Sequence, residues 1–551
     1  MKIVNKNNFN RLNNTILILF GLYLTMSIVS NTFDPDFGWH LRFGQDAWNN
    51  NFQYTDSYTW AHQDQSWINH EWGGDMVFWL LYDKLGYFSL VFFISLALWL
   101  AFLFAPKIFT KKLTLASILI SVLTLLSIKF IIIMRLSMLG PLFFVWLWWS
   151  LEKMPDKKTY RLWPIILWLW SFFHGSWILG FIVINIYLVG EIITMSLHSL
   201  RSTETTVELS RHFRLLAMTK QKTWNWDLVK KTIIWQLISA LVITINPYGW
   251  KIWIEVIKYF TSNFYKTRVN EWLPSYAYPV HWWPLIIVAI AMVIIYLGRK
   301  NKLMNWPRLL LFVAFFISAM QYVRNNVFLM LVCTPILVIF LKQIKWPVKK
   351  PKLIGYVMIC IVLITVIIYT KPTIRYNNDI WKDRLLIAWH SFPVEAVEFL
   401  KKQTVNQSGV RLFNRLYWGG YLNWTLPNAL VYMDGRGTVT WTDKDGQLLL
   451  KKYFAILSQA DQLAELEQNQ VQYIILDKNY PDYPAPKWSD KILFSQSDLE
   501  KAMAVEQRQL EKDLFNNPNW ELIYTDQLAN IWHKKSSSQY KTPDGFSSRS
   551  L

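Results

Sequence analysis

The residues best suited to chemistry cluster between Asp34 and Asp75. Seven carboxylates (Asp34, Asp36, Asp46, Asp56, Asp64, Glu71 and Asp75) face one cation, Arg42, in a chain whose formal net charge is +20. Three of the nine histidines, His40, His62 and His70, share the stretch. Asp34-Pro35 reads as a helix start, with Asp at the N-cap and Pro at the first helical position. Asp36 would then lie in the first turn, one turn before His40, where the helix N-terminus favours the ionised carboxylate. Such a group can take a proton from a hydroxyl. Glu71 follows 35 residues later. Two carboxylates can divide labour, one acting as base while the other positions a donor, a partner side chain or a metal. Plainer readings stand beside these: Asp34 only caps its helix, and Glu71 caps the next. A divalent cation, Mg2+ or Mn2+, could be held by Asp36 and Glu71 with imidazole help, although no tight metal-ligand spacing is present.

The elements that must position these groups are membrane helices. With 551 residues, 53% hydrophobic and 17% aromatic content, 32 Trp and apolar runs near 20 residues, the chain reads as a polytopic α-helical membrane protein. The first run, Thr15 to Ser30, follows Lys2, Lys6 and Arg11 and reads as an uncleaved anchor rather than a signal peptide. Further spans are expected at 86–105, 113–134, 136–151, 162–174, 176–197, 232–246, 283–298, 308–322, 325–341 and 353–370, about 11 in all. Up to Thr370 there are 35 Lys and Arg against 16 Asp and Glu; beyond it, 22 against 21. The basic excess belongs to the membrane half and follows the positive-inside pattern, so nucleic acid is not an expected partner. That pattern places the N-terminus in the cytoplasm and the region after Thr370 outside, in a multi-pass protein of the cytoplasmic membrane. Cys333 and Cys360 fall in apolar runs and read as buried thiols.

On the outer side, the same topology gathers few polar residues. Arg135 stands between two apolar runs, His174-Gly175-Ser176 between two more, and Arg324-Asn325-Asn326 at the start of another. Each could simply snorkel to water. Arg135 and Arg324 on the side of the acidic loop would equally suit a phosphate-bearing substrate. Trp39, Trp48, Trp60, Trp67 and Trp72 could stack on sugar rings or serve in the interfacial belt. Trp250 to Phe264 has the spacing of a helix lying at the interface, or is a loop.

Three regions follow: a membrane domain over 1–370, with its first outer loop at 31–76; an α/β domain over 371–535; and a Ser-rich polar tail over 536–551. In the second, helices are expected at Pro393 to Lys402, Gly446 to Ser458, Gln462 to Gln468 and Ser497 to Phe515. Strands are expected at Val410 to Phe413, Val431 to Met433 and Val471 to Leu476, with a hairpin of Trp520 to Thr525 and Ala529 to Lys534. The double glycine of Tyr417-Trp418-Gly419-Gly420-Tyr421 marks a close-packed backbone, and Asp434-Gly435 a turn at a strand end.

Taken together, Asp34-Pro35-Asp36-Phe37-Gly38-Trp39-His40, Asn69-His70-Glu71-Trp72, His174-Gly175 and Asn246-Pro247-Tyr248-Gly249-Trp250 resemble the GT-C superfamily of membrane glycosyltransferases. The similarity is to bacterial members related to dolichyl-phosphate-mannose protein mannosyltransferases and aminoarabinose transferases. The resemblance implies a GT-C-like membrane domain and inverting transfer of a sugar from a polyprenyl-phosphate donor to a glycan, lipid or protein acceptor. It casts Asp36, or Asp34 in a shifted register, as the base and Glu71 as the second acidic residue. His40, His70, Arg135, His174, Arg324 and Trp39 would then bind substrate. The pattern departs from the family's usual Asp-Glu, and the outer domain is not shared by all members. A carrier or flippase for lipid-linked sugars would need charge deep in the spans, where only Lys129 and Glu191 stand out. A non-catalytic scaffold would not need so many spans.

Overall fold

The computed structural model describes residues 6–30, 34–110, 112–209, 226–261, 270–276, 282–297, 305–343, 392–404, 407–443, 445–478 and 509–535. Backbone contacts divide the chain into two compact units. The first comprises Met1–Asp34, Phe43–Phe52 and Ile68–Leu386; the second comprises Pro35–Arg42, Gln53–Trp67 and Ile387–Leu551.

The first unit is helical: α1 (Lys6–Ser30), the later part of α2 (Phe37–Trp48), α3 (Trp72–Leu85), α4 (Tyr87–Phe104), α5 (Leu115–Ser127), α6 (Gly140–Lys157), α7 (Trp163–Phe173), α8 (Ile178–Leu209), α9 (Trp226–Ile243), α10 (Lys251–Thr261), α11 (Trp282–Leu297), α12 (Trp306–Gln321) and α13 (Asn326–Gln343). Local chemistry sets many of the ends. Thr114 and Ser117 form a reciprocal capping box at the start of α5, and Asn305 caps α12 ahead of Pro307. Gly86, at φ +78°, makes the abrupt turn between α3 and α4 that a side chain would strain.

Several helices leave large apolar side chains uncovered along one stripe: Ile16, Leu19 and Tyr23 on α1, Ile233, Leu237 and Leu241 on α9, and Ile286, Ile290 and Val293 on α11. Stripes of this kind need a hydrocarbon solvent. Four segments among the described residues are long and apolar enough to cross a membrane: Asn13–Ser30, Tyr87–Ile108, Gly175–Leu197 and Val323–Leu341. Leu115–Ser127, Trp282–Ile295 and Trp306–Gln321 are shorter apolar helices. The chain is therefore a membrane protein, while the count of about 11 spans is not reached by helix length and composition. The run at 353–370 lies outside the described residues. The expected interfacial segment forms α10, which turns Ile252 and Val256 inward and leaves Ile254 and Ile257 exposed.

A buried polar latch joins three of these helices. Arg308 of α12 forks onto Glu152 of α6, Nε to Oε1 at 2.9 Å and Nη2 to Oε2 at 2.7 Å. The Tyr187 hydroxyl of α8 donates to the same Oε1 at 2.6 Å.

The second unit is built on a five-stranded sheet, with β1 (Val410–Asn414), β2 (Ala429–Val431), β3 (Tyr473–Asp477), β4 (Trp520–Thr525) and β5 (Ala529–Lys534) in the order β2-β1-β3-β5-β4. β1 runs parallel to β2 and β3, and the β4–β5 hairpin continues the sheet antiparallel. α14 (Val394–Thr404), α15 (Gly419–Thr425), α16 (Leu449–Ser458), α17 (Leu463–Gln468) and α18 (Gln509–Asn516) complete the α/β fold. The expected helix over 497–515 is seen from Gln509; its earlier part lies outside the described residues.

The free edge of β2 is covered from far away in sequence. Thr59 bridges Val431 in parallel, Val431 N–H donates to Tyr58 O at 3.2 Å, and Trp60 N–H donates to Val431 O at 3.0 Å. The Trp60 indole N–H donates to Leu412 O at 2.9 Å. Residues of the first acidic loop thus finish the sheet of the C-terminal domain and cover its edge backbone.

Candidate functional site

The first unit holds two polar clusters. Asp34 is fully buried, and Arg135, the residue before a short 3-10 turn at Leu136–Leu139, grips it with both faces of the fork: Nε to Oδ2 and Nη2 to Oδ1, each at 2.5 Å. The helix that follows starts at Phe37, later than the Asp-Pro signal indicates. The remaining Arg135 nitrogen, Nη1, meets Glu271 Oε1 at 3.1 Å. Arg324 Nη1 lies 3.7 Å from the other Glu271 oxygen, and its guanidinium stacks 4.7 Å over Trp272.

This Glu271 turn is fixed to the α12–α13 junction. Val323 N–H donates to Leu273 O at 2.8 Å, and Asn326 Nδ2 donates to Ser275 Oγ at 2.6 Å. The Tyr322 ring meets Trp272 edge-on at 5.2 Å. Sequence reading passed over Glu271. The available signal was a carboxylate beside Trp in a stretch, 246–282, where only Glu255 offers another.

The second cluster surrounds Glu71. The residue occupies the N-cap position of α3, yet its side chain makes no capping bond. Asn69 does the local work, accepting from Glu71 N–H at 2.9 Å and donating to Asp75 Oδ2 at 2.6 Å. The Glu71 carboxylate is left for imidazole. His174 Nδ1 accepts from Ser176 N–H at 3.0 Å, which places the proton on Nε2, 3.1 Å from Glu71 Oε1. His70 Nε2 is 3.9 Å from the same oxygen. A Cβ on Gly175 would approach the His70 ring to 2.8 Å, so the His174-Gly175 pair both supplies an imidazole and leaves room for another. Glu71 is buried, oriented and engaged by its side chain.

The second unit holds Asp36, Trp39 and His40. Gly38 and Gly420 pack backbone to backbone: a Cβ on Gly38 would run into Gly420 O, and one on Gly420 into Pro35 O. The double glycine is close-packed, as its sequence indicates. Asp36 lies against Gly435, where a Cβ would overlap Oδ1. Trp39 is buried, and its indole N–H has no hydrogen-bond acceptor among the described residues.

Next to them, Arg436 is enclosed. It pairs with Asp56 Oδ1 at 3.0 Å through Nη1 and with Asp434 Oδ2 at 2.7 Å through Nη2. Tyr58, Trp67, Trp441 and Trp39 lie around the guanidinium at 4.8, 4.4, 4.9 and 5.9 Å. Burial raises the Asp56 carboxyl above its usual range in spite of the arginine. His62 stacks on Trp441 at 4.2 Å; burial, and then the charge of Arg436, hold its imidazole down to about 4. This motif binds the acidic loop into the domain, so its role is structural.

Of the residues singled out by sequence, Asp34, Arg135 and Arg324 thus come together through Glu271, and His70, Glu71 and His174 form a second group. Asp36, Trp39 and His40 belong to the other unit. No protein-family model and no curated protein matches the sequence. Among solved structures, the chain is similar to the Archaeoglobus fulgidus oligosaccharyltransferase in the apo form, with 10% identity and a TM-score of 0.48. It is similar to that protein tethered with an acceptor peptide containing the NVT sequon, at 11% and 0.49, and to its complex with an inhibitory peptide and a dolichol-phosphate, at 10% and 0.46. Each alignment covers 84% of this chain and 69% of the other. Similarity at this level assigns neither a fold nor an activity to this chain.

Proposed function

We propose that this chain is a membrane glycosyltransferase of the GT-C type, transferring a sugar from a polyprenyl-phosphate donor to a hydroxyl acceptor at the outer face of the cytoplasmic membrane. The N-terminus is cytoplasmic and the C-terminal domain extracytoplasmic, following the distribution of Lys and Arg. The observation that carries the reading is the state of Glu71: a buried carboxylate at a helix start that does not cap, held instead by the Nε2 proton of His174. A carboxylate aimed by imidazole is equipped to handle a proton or to position a reacting group. Paired guanidinia at Arg135 and Arg324 supply the charge that a phosphate leaving group needs.

The reaction is a single displacement. The acceptor oxygen attacks the anomeric carbon, the bond from that carbon to the phosphate oxygen breaks, and the polyprenyl phosphate leaves with the bonding pair. Asp36 takes the hydroxyl proton, as the resemblance implies. Glu71 with His174 and His70 positions the reacting hydroxyl or sugar, and Arg135 and Arg324 neutralise the departing phosphate. Trp39 and His40 contribute sugar contacts. Positioning and charge stabilisation supply most of the rate.

The test is transfer of radiolabelled sugar from a mixed pool of polyprenyl-phosphate sugars in membranes holding matched amounts of wild type, Asp36→Asn or Glu71→Gln. Transfer that disappears in both variants supports the assignment. Transfer that survives in both removes the carboxylates from the mechanism.

A further inference from the structure

We infer that Glu271 is an internal stand-in for a phosphate group: Arg135 and Arg324 form an anion subsite whose resident carboxylate gives way when a phosphate head group enters from the bilayer. The inference rests on the donor class proposed above and adds a residue and a step to it. Arg135 has two acidic partners of different kinds. Asp34, with its side chain 0% exposed, takes Nε and Nη2 and fixes the guanidinium in place. Glu271, 32% exposed, takes only the outer edge of the fork and shares itself with Arg324, whose side chain is 25% exposed. A single carboxylate bridging two guanidinia, one oxygen on each, reproduces how two oxygens of a phosphate would be held.

The charge balance points the same way. Among the described residues paired here, two arginines and two carboxylates sum to neutral. Exchanging Glu271 for a singly charged phosphodiester keeps that balance, whereas adding the phosphate without moving Glu271 would leave an excess anion in a partly buried site. The carboxylate that can move is the exposed one. Its movement is confined to one short segment, because Leu273 and Ser275 remain anchored to Val323 and Asn326. Between substrates the carboxylate supplies a counter-charge to Arg324 and completes the set around Arg135.

The experiment uses purified full-length protein in phosphatidylcholine nanodiscs, with farnesyl phosphate as probe and farnesol and inorganic phosphate as comparisons. Glu271→Gln and Glu271→Ala are expected to bind farnesyl phosphate at least about fivefold more tightly than wild type, which is about 1 kcal/mol. Arg324→Gln is expected to weaken it by a similar factor, and farnesol should not respond to any of the three. A larger gain for farnesyl phosphate than for inorganic phosphate assigns the subsite to a lipid head group; an equal gain assigns it to phosphate as such. Folded Glu271 variants that bind farnesyl phosphate no better than wild type overturn the stand-in while leaving the donor reading intact. Absence of farnesyl phosphate binding in the wild type and every variant overturns both.

Discussion

Replacing Arg436 by Met keeps the length of the side chain and its apolar contacts with Tyr58, Trp67 and Trp441, but removes the charge that holds Asp56 and Asp434 together. Both carboxylates are 0% exposed and the arginine 2%. Breaking a buried ion pair by removing one partner costs about 3–5 kcal/mol, and here two carboxylates lose the same cation, so the upper end, about 5 kcal/mol, is expected. For a unit of this size each kcal/mol lowers Tm by about 2–4 °C, giving a fall of about 10–20 °C in its transition. Asp434 keeps the Asn423 amide at 2.6 Å and Asp56 keeps the Tyr58 N–H at 3.1 Å, so neither carboxylate is stripped of every donor. Adding Asp56→Asn to Arg436→Met should restore about 2 kcal/mol, although Asp56→Asn is destabilising alone; that reversal of sign is the signature of a coupled pair. Because burial already raises the Asp56 carboxyl, the defect should also shrink as pH falls toward the carboxylate range. Thermal unfolding of the full chain and pulse proteolysis within 53–67 read the effect. A Tm within about 3 °C of wild type, or strictly additive single effects, would refute the assignment of Arg436 as the centre of this unit.

Three further outcomes are expected. Gly435→Ala pushes a methyl into the Asp36 carboxylate at a backbone position that carries no unusual φ, so transfer should fall by about 100-fold with little loss of stability; unchanged transfer would remove Asp36 from the reacting groups. Glu152→Gln removes the charge that Arg308 forks onto in the membrane unit and should cost about 2 kcal/mol, read by thermal unfolding in detergent, with no difference counting against the latch. The His62 imidazole is held to about 4 in the folded chain against an unfolded value near 6.5, so the unfolded chain binds the extra proton between these limits. Stability is accordingly full above pH 6.5 and falls on acidification toward 4, by at most about 1.4 kcal/mol per unit, and His62→Phe should flatten that slope.

Periodicity made much of the architecture legible. Among the described residues the apolar runs became helices, most of them near their expected bounds, and the five strands of the C-terminal domain fall close to where β-branched and aromatic residues cluster. Two kinds of information were not available along the chain. Whether an apolar helix is long enough to span depends on breaks that apolarity hides: the run expected over 113–134 is helical only from Leu115 to Ser127. Pairings between distant positions leave no local trace either. Nothing near Asp56 announces Arg436, 380 residues on, and nothing near Trp60 announces Leu412 O. Likewise nothing near Asp34 announces Arg135, whose guanidinium grips its buried carboxylate. His174 and Glu71 were both singled out by sequence, yet the proton joining them depends on Ser176 N–H fixing the imidazole tautomer.

The central claim is that a sugar leaves its lipid carrier, and the decisive measurement is the stoichiometry of that event in proteoliposomes. Purified full-length protein would be given one defined polyprenyl-phosphate sugar and an acceptor extract, and mass spectrometry would follow both the released polyprenyl phosphate and the sugar on acceptor. One polyprenyl phosphate released for each sugar transferred, with loss of both signals in Asp36→Asn, is the predicted result. The same measurement in excess EDTA asks whether a divalent ion takes part: transfer that is lost and then restored by Mn2+ would add one to the site. Intact lipid-linked sugar redistributed between leaflets, with no cleavage of the bond to phosphate, would contradict the account and identify a carrier.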